Sequence, residues 1–173
     1  RFAKACDEFG LTISLKKTNV MAQDTDPPSI FINNHKLEVV SEFTYLGSTI
    51  TNKLSQDVEL NKRIAKASTT LSRLSQRVWN KNMLTLNTKI SVFRACVLST
   101  LLYTSETWTL YASQEKRLSA FHMRCLRRIL RIAWSDRVTN NEVLEHAKIP
   151  SMVTLLRQHR IRWLGHVHRM DDG

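Results

Sequence analysis

The spacing of apolar residues changes near Asp57, and this change constrains the fold more than any other feature of the sequence. Before it, short runs such as "LEVV" and "EFTYLGSTI" alternate apolar and polar residues, which is typical of half-buried β-strands. After it, apolar residues recur every ~3.6 positions, as in amphipathic helices. The chain has 173 residues but only 4 Gly and 3 Pro, which favours long helices. The sequence therefore predicts an α+β, predominantly α fold, with a small antiparallel β-hairpin layer at the N-terminus and a helical bundle after it.

The residues before the change are predicted to form one helix end and several short strands. Gly10 follows "FAKACDEF" and is expected to stop that helix. The runs "LTISL" and "NVMAQ" are β-like, and "IFI", "NNH" and "KLEVV" together predict a hairpin. "EFTYLGSTI" adds a further strand, on which Phe43 and Tyr45 share one face because side chains alternate along a strand.

Five helices are predicted after the change, at about residues 57–80, 85–103, 114–132, 140–148 and 151–169. Their expected N-caps, whose side-chain oxygens accept backbone N–H groups, are Thr85, Ser113, Thr139 and Ser151. The second helix ends in "VLSTLLY", which is apolar nearly all round and is therefore expected at the centre of the bundle. Trp108 follows it and is expected in the core rather than as a platform for base stacking.

Positive charge is concentrated in the helical part. Residues 1–60 hold 6 Lys+Arg and 8 Asp+Glu, a net charge of −2, whereas residues 61–173 hold 20 and 7, a net charge of +13. The sum is the net charge of +11 of the whole chain. A strongly basic helical region favours nucleic acid as a partner. A basic but merely solvated surface is the alternative reading of the charge alone.

The first predicted helix separates an apolar face from a cationic one. At about 100° per residue, its apolar residues fall within ~80° of one another; they are Ile64, Ala67, Leu71, Leu74 and Val78. Four cations fall within ~60° and about 130° away from them. We call these residues the cationic row: Lys62, Lys66, Arg73 and Arg77. The row would run for ~22 Å along the helix, which suits contact with a line of phosphates.

The third predicted helix repeats this plan more densely. Its apolar side carries residues such as Leu118, Phe121 and Cys125. We call the opposite side the arginine-rich face: Lys116, Arg117, Arg124, Arg127, Arg128 and Arg131. Like charges three or four residues apart repel by a few tenths of a kcal/mol, so such a face favours a bound anion. Phosphate oxygens suit arginine because a guanidinium can bind them bidentately.

The last predicted helix carries a mixed cationic and histidine face, on which His159, Arg162, His166 and Arg169 lie within ~80°. Two histidines seven residues apart invite a metal site, but no third ligand has suitable spacing. No metal site is therefore predicted, and phosphate contacts by Arg162 and Arg169 are favoured. Gly165 lies within this helix and is expected to allow close approach of another backbone.

The sequence lacks signals for several other classes of protein. It has no run of apolar residues long enough for a transmembrane helix. Its 3 Cys form no CxxC pair, which favours a reducing compartment, and Cys96 and Cys125 are expected as small buried side chains. No phosphate-binding loop, nucleophile elbow or zinc-protease motif occurs. Acids before residue 57 are scattered, including Asp24, and the adjacent Asp171 and Asp172 are not expected to be catalytic.

Six motifs occur in an order that resembles one known family. They are "GLTISLKKTNVM", "FTYLGSTI", "RIAKA", "LLYTSETWTL", "FHMRCLRRIL" and "RIRWLGHVHRM". Together they span essentially the whole chain and resemble the C-terminal part of a non-LTR (LINE-type) retrotransposon reverse transcriptase. The resemblance implies the end of the palm with the primer grip at residues 1–54, thumb-like helices at 55–112 and a basic C-terminal helical region at 113–173.

The resemblance also implies roles for individual residues. The "FTYLG" segment corresponds to the primer grip, which holds the 3′ end of the growing strand, and maps to Phe43, Tyr45, Leu46 and Gly47. The cationic row corresponds to a thumb helix along the RNA–DNA hybrid. Lys17, or its neighbour Lys16, corresponds to a lysine near the departing pyrophosphate, a position from which a lysine can act as general acid.

The family's metal-binding aspartates and its fingers lie upstream of the matched region. No cofactor is therefore expected in this fragment, and Mg²⁺ is expected for the parent polymerase through aspartates that are not present here. The fragment alone is predicted to be inactive as a polymerase.

The sequence thus predicts a fragment of an RNA-directed DNA polymerase that binds a primer–template hybrid. Its expected partners are an RNA–DNA hybrid, RNA and DNA, and the upstream palm and fingers of the same polypeptide, without a membrane. An intracellular location, in nucleus and cytoplasm, is expected. Two alternatives stay open: a co-opted, stand-alone basic nucleic-acid-binding module without catalysis, and a protein-interaction bundle whose basic faces meet acidic partners.

Overall fold

The computed structural model of the protein describes residues 2–23, 25–53 and 55–170. It divides into two compact units, Arg1–Glu59 and Leu60–Gly173. The first contains small two-stranded sheets, and the second consists of helices and their connections. The predicted α+β, predominantly α fold is confirmed. The functional division at residues 54 and 112 stays a prediction.

The first unit begins with helix α1, Phe2–Glu8. Gly10 has a φ of 66°, in the left-handed region that glycine adopts without strain. The Leu11 N–H donates to the Cys6 carbonyl at 2.8 Å and closes the helix end. The predicted stop at Gly10 is confirmed.

The middle of the first unit forms two short strand pairs. Strands β2 (Phe31–Ile32) and β3 (His35–Lys36) are antiparallel, and their turn residues Asn33 and Asn34 have positive φ values of 47° and 62°. This pairing confirms the predicted hairpin. A two-residue turn with two positive φ values is favoured because it matches the twist of the strands. Strands β1 (Asn19–Val20) and β4 (Glu38–Val39) pair in parallel, which differs from the purely antiparallel layer expected.

The prediction of a strand at "LTISL" is wrong. Leu15–Lys17 form a short 3₁₀ turn instead. The Thr18 hydroxyl donates to the Ser14 carbonyl at 2.9 Å and holds that turn. A local side-chain bond of this kind competes with strand pairing.

"EFTYLGSTI" contains a complete hairpin rather than the one strand predicted. Strands β5 (Glu42–Tyr45) and β6 (Ser48–Thr51) are antiparallel, with Phe43 opposite Ile50 and Tyr45 opposite Ser48. Leu46 and Gly47 form the turn with φ values of 47° and 83°. Two positive φ values again match the preferred two-residue hairpin turn.

The second unit is built on helix α2, Asp57–Arg73, of which residues 60–73 belong to it. The prediction of one regular helix over 57–80 is wrong in its last turns, because Ser75–Trp79 are π-helical. The Ser75 hydroxyl and the Trp79 indole N–H both donate to the Leu71 carbonyl, at 3.3 and 2.7 Å. These two side-chain bonds lie at the start of the wider turn.

The remaining helices lie close to their predicted positions. Helix α3 (Leu86–Val92) continues through a π-helical segment (Phe93–Leu98) into α4 (Ser99–Leu101). Helices α5 (Ala112–Leu130), α6 (Asn140–Ala147) and α7 (Met152–His168) follow. Their bounds agree with the predicted helices to within a few residues.

Three of the four predicted N-caps are confirmed, since Thr85, Thr139 and Ser151 each accept a backbone N–H. The prediction for Ser113 is wrong, because α5 starts after Tyr111. The side chain of the buried Gln114 accepts the Tyr111 N–H at 3.0 Å and fixes the earlier start.

The segment "VLSTLLY" contributes to the core of the second unit, as predicted. Val97 and Leu101 are fully buried there, as is Phe93 in the preceding turn. Trp108 is only 4% exposed, which confirms its predicted place in the core. None of the helices in the described part of the chain combines the length and apolar character that a membrane span requires.

Candidate nucleic-acid interface

The β5–β6 hairpin turns its aromatic side outward. Tyr45 is 59% exposed, Ile50 45% and the turn residue Leu46 75%, while Phe43 is half-buried. The opposite, hydroxyl-bearing side is buried at Thr49 and Thr51. Apolar groups normally take the buried side of a strand. We call Phe43, Tyr45, Leu46 and Ile50 the hairpin face.

A buried glutamate contacts the backbone of this hairpin. Glu59, in the first turn of α2, is 2% exposed, and its Oε2 accepts the Thr49 N–H at 2.7 Å. A buried backbone N–H needs such a partner. The bond ties the buried part of β6 to the start of α2. The sequence prediction missed Glu59, because an acid in the first turn of a helix is too common to mark a site.

Lys17 lies in the 3₁₀ turn before β1 and is exposed. Its alternative, Lys16, is exposed in the same turn. Gly47, the last predicted grip residue, occupies the hairpin turn.

The cationic row lies opposite the buried side of α2, where Ala67 and Leu71 are in the core. Lys66, Arg73 and Arg77 are exposed, and in the described part of the chain no hydrogen bond or ion pair engages their side chains. Lys62 is half-buried and has a protein partner. Arg77 stands on the π-helical segment, so the row leaves regular α-geometry at its end.

One arginine of α2 has a structural position. Arg63 is 5% exposed, and its guanidinium carbon lies 4.6 Å from the centre of the Tyr103 ring. A desolvated cation–π contact of this kind contributes about 2 kcal/mol. Arg63 therefore belongs to the packing of the second unit.

The arginine-rich face of α5 is largely used to hold neighbouring segments. Arg127 donates to the Val138 carbonyl at 2.8 Å and to the Asn140 side chain at 3.0 Å. Arg128 donates to the Ser75 hydroxyl at 2.8 Å.

Arg131 and Arg117 complete this set of contacts. Arg131 donates to the Asn82 side chain at 2.7 Å, and Arg117 donates to the Asn61 side chain. Lys116 and Arg124 are exposed and make no hydrogen bond or ion pair to described residues.

The contacts of Arg127, Arg128 and Arg131 are all to neutral acceptors. No carboxylate is among these acceptors, so they do not offset the positive charge, and each guanidinium has five N–H donors, of which few are used. The binding of an anion to this face stays a prediction. The face can still attract phosphates.

Helix α7 presents its predicted cations to solvent. Arg162 and Arg169 are exposed, as is His166, whose ring centre lies 5.2 Å from that of Trp163. His159 is half-buried, with its Nδ1 3.1 Å from the Ser105 hydroxyl.

The prediction for Gly165 is wrong. A Cβ at this position would meet only the end of the Arg169 side chain, at 3.5 Å. No other backbone of the described residues approaches Gly165 closely.

Burial keeps two titratable groups of α5 in their uncharged forms. Burial lowers the pKa of His122 from its ordinary value of 6.5 to about 4, and the ring stacks on Phe93 with centres 5.9 Å apart. Burial raises the pKa of the Cys125 thiol to about 12, although the nearby Arg124 and Arg128 charges oppose the shift. His122 is therefore neutral and Cys125 is a thiol rather than a thiolate at neutral pH. Cys6, Cys96 and Cys125 are all unpaired.

No group of three or more His, Cys, Asp or Glu side chains suited to a metal ion occurs among residues 2–23, 25–53 and 55–170. Asp24, Asp171 and Asp172 lie outside the described residues.

Comparison with known proteins gives one relative. No protein-family model and no solved structure matches the chain. Over 180 residues the chain is 27% identical to an uncharacterized transposon-derived protein of Caenorhabditis elegans. The match covers 97% of this chain and 63% of the relative, so the chain spans less than two thirds of the relative's length. This similarity points to a mobile-element origin.

Proposed function

We propose that this chain is part of the RNA-directed DNA polymerase of a non-LTR retrotransposon and binds the RNA–DNA primer–template hybrid. The observation that carries the proposal is the cationic row: Lys66, Arg73 and Arg77 stand exposed and unpaired within the described residues, in a region of net charge +13. A transposon-derived relative and the six ordered motifs agree with it.

The cationic row acts through the nucleic-acid backbone. Lysine and arginine side chains bind phosphates and release counterions, which gives affinity without reading sequence. A polymerase needs this kind of contact, because it must hold every sequence that it copies. Lys116 and Arg124 on α5 add further positive charge that attracts phosphates.

The hairpin face serves as the primer grip. An exposed tyrosine next to exposed Leu46 and Ile50 offers an apolar surface for the sugar and base of a primer terminus. The buried bond from Thr49 to Glu59 fixes the backbone of β6, which carries part of this surface. Such rigidity is what positioning of a reactive 3′ end requires.

In this proposal, catalysis depends on the metal-binding aspartates that the resemblance places upstream. The described residues do not fit a Mg²⁺ site, because they bring no cluster of carboxylates together. No step through Mg²⁺ is therefore assigned to them. Lys17 is exposed and could donate a proton to the leaving pyrophosphate when the parent active site is complete.

The first experiment measures binding of the full chain to a recessed-3′ RNA–DNA hybrid, a blunt duplex and single-stranded RNA. The grip predicts the tightest binding to the recessed hybrid. Tyr45→Ala should remove that preference while keeping duplex affinity, because stacking by one aromatic contributes ~1–3 kcal/mol. Val39→Ala, at another exposed strand position of the first unit, is the matched control and should keep the preference.

Each alternative function predicts a different pattern of binding. A co-opted basic module binds all three ligands alike, and Tyr45→Ala changes nothing. A protein-interaction bundle binds none of them at physiological salt. Either pattern would contradict the primer–template assignment.

A further inference from the structure

A cleft of about 540 Å³ opens in the second unit between three elements. Its walls come from the π-helical segment after α3, from the connection between α6 and α7, and from the first half of α7. We call it the α3–α7 cleft. Its volume lies within the range of about 300–1,000 Å³ that small organic ligands occupy.

The α3–α7 cleft has an apolar floor and a cationic rim. Leu98, Leu102 and Ile149 line the floor and belong to the buried core. Arg94, Lys148 and Arg162 line it as exposed cations, and none of the residues that line it is acidic. This combination fits a ligand with one flat apolar part and an attached anion.

A second, smaller cavity of about 270 Å³ continues the cleft along α7. It shares His159 and Arg162 with the α3–α7 cleft and adds Trp163, His166 and Glu106. Trp163 is 45% exposed, although an apolar ring of that size is normally buried. An exposed tryptophan beside clustered cations is the arrangement that stacks unpaired bases.

We call the α3–α7 cleft and the smaller cavity together the groove. Hydrogen bonds hold the walls of this groove. Arg94 donates to the Lys148 carbonyl and ties the π-helical segment to the α6–α7 connection. Arg160 donates to the Trp108 carbonyl at 3.1 Å, and the Ser105 hydroxyl lies 3.1 Å from His159 Nδ1. These bonds fasten α7 to the segment after α4. The groove is therefore largely formed before any ligand arrives.

We propose that this groove binds unpaired nucleotides of a single nucleic-acid strand. One base enters the α3–α7 cleft against Leu98 and Leu102, and its phosphate meets Arg94, Lys148 and Arg162. A neighbouring base stacks on Trp163. The inference rests on the proposed function only in taking nucleic acid as the ligand, and it uses a different surface from the cationic row and the hairpin face.

The shape and chemistry of the groove favour an unpaired strand over other ligands. Bases inside a duplex are stacked and cannot enter an apolar cleft, whereas bases of a single strand can be splayed out. The net charge of +13 after residue 60 and the transposon-derived relative favour a nucleic acid over an acidic peptide. The 2′-hydroxyl distinguishes RNA from DNA, so the test includes both.

The test uses the full chain with oligo(U), oligo(dT) and an abasic strand, each of about 12 nucleotides. Trp163→Ala removes the stacking ring, and Ile161→Ala is its matched control, an exposed apolar residue of α7 that does not line either cavity. Arg162→Gln removes the shared cation. Arg157→Gln is its control, an exposed cation of the same helix that lines neither cavity.

Trp163→Ala and Arg162→Gln should each weaken single-strand binding about tenfold, against about twofold or less for their controls. Trp163→Ala should leave the affinity for a blunt hybrid duplex nearly unchanged, whereas removal of Lys66 and Arg73 should weaken duplex binding. The two proposals can therefore fail separately. Tighter binding of oligo(U) assigns the groove to RNA, and tighter binding of oligo(dT) assigns it to DNA.

Three results would overturn the inference. The first is an equal loss of single-strand affinity in the variants and in their controls. The second is undiminished affinity for the abasic strand, because the cleft would then hold no base. The third is displacement of oligo(U) by a leucine-containing acidic peptide of equal charge, which would assign the groove to a protein ligand. Circular dichroism of each variant checks that these exposed substitutions leave the fold intact.

Discussion

The buried imidazole of His122 gives a prediction about acid stability. Its side chain is 1% exposed, and neither ring nitrogen has a hydrogen-bond partner among the described residues. Burial lowers its pKa from 6.5 to about 4. A proton therefore binds the unfolded chain more readily than the folded one. Protonation of His122 leaves the free energy of unfolding nearly unchanged above pH 6.5 and lowers it as the pH falls from 6.5 towards 4.

The size of this effect follows from the two pKa values. Linkage gives a full difference of about 3 kcal/mol for a shift from 6.5 to about 4. About 2 kcal/mol of it should be lost by pH 5, and little by pH 7. Below pH 4 both states are protonated, and the contribution changes no further.

His122→Phe keeps a ring next to Phe93 and removes the titration. All four tryptophans lie after residue 60, so urea unfolding followed by tryptophan fluorescence reports the second unit. We expect the free energies of unfolding of the two proteins to diverge by about 2 kcal/mol between pH 7 and pH 5, with the variant less sensitive. The exposed His146→Gln is the control and should follow the unchanged protein. Parallel curves for His122→Phe and the unchanged chain would show that His122 does not cause the loss of stability in acid.

Three further predictions concern local structure. Gly165→Ala should raise the free energy of unfolding by about 0.5–1 kcal/mol, because a Cβ there meets only a flexible side chain; a lower melting temperature would contradict this. Thr139→Ala should cost about 1 kcal/mol by removing the N-cap of α6, whereas Thr139→Ser should cost little in the same urea titration. At pH 8 the Cys125 thiol should react with a thiol reagent far more slowly than Cys96, because its pKa is about 12; mass mapping that finds Cys125 modified first would be the opposite outcome.

Local rules were enough to predict much of the fold. Thr85, Thr139 and Ser151 cap helices because a short polar side chain can reach a backbone N–H two or three residues ahead. Asn33 and Asn34 form a turn because asparagine tolerates positive φ. Each of these features depends on residues that are neighbours in the sequence.

Other features involve contacts that apolar spacing does not reveal. At the π-helical turn Ser75–Trp79, the Ser75 hydroxyl and the Trp79 indole N–H both donate to the Leu71 carbonyl. In the β5–β6 hairpin, the side with Thr49 and Thr51 is buried, and Glu59 accepts the Thr49 N–H. Neither the π-helical turn nor the outward hairpin face can be read from apolar spacing.

The candidate interface likewise has features that follow from helix spacing and features that depend on the folded chain. Arg77 is exposed on the π-helical segment, whereas the exposure of Lys66 and Arg73 follows from helix periodicity alone. The contacts of Arg127 and Arg128 do not, because Val138 and Ser75 reach α5 only in the folded chain. The α3–α7 cleft likewise brings together Arg94, Lys148 and Arg162 from three segments.

A salt series tests whether the cationic row holds a nucleic-acid backbone. The affinity of the full chain for a blunt RNA–DNA hybrid is measured from low to physiological salt. The same series is run with Lys66→Ala combined with Arg73→Ala, and with Lys81→Ala combined with Arg157→Ala as a control that removes equal charge elsewhere. The slope of log K against log salt counts the phosphates that the protein neutralises, at roughly 0.9 per contact. We expect a slope flatter by about two units for the row variant and weaker binding to every sequence alike, with a smaller change in the control. An unchanged slope, or an equal change in both double variants, would contradict it.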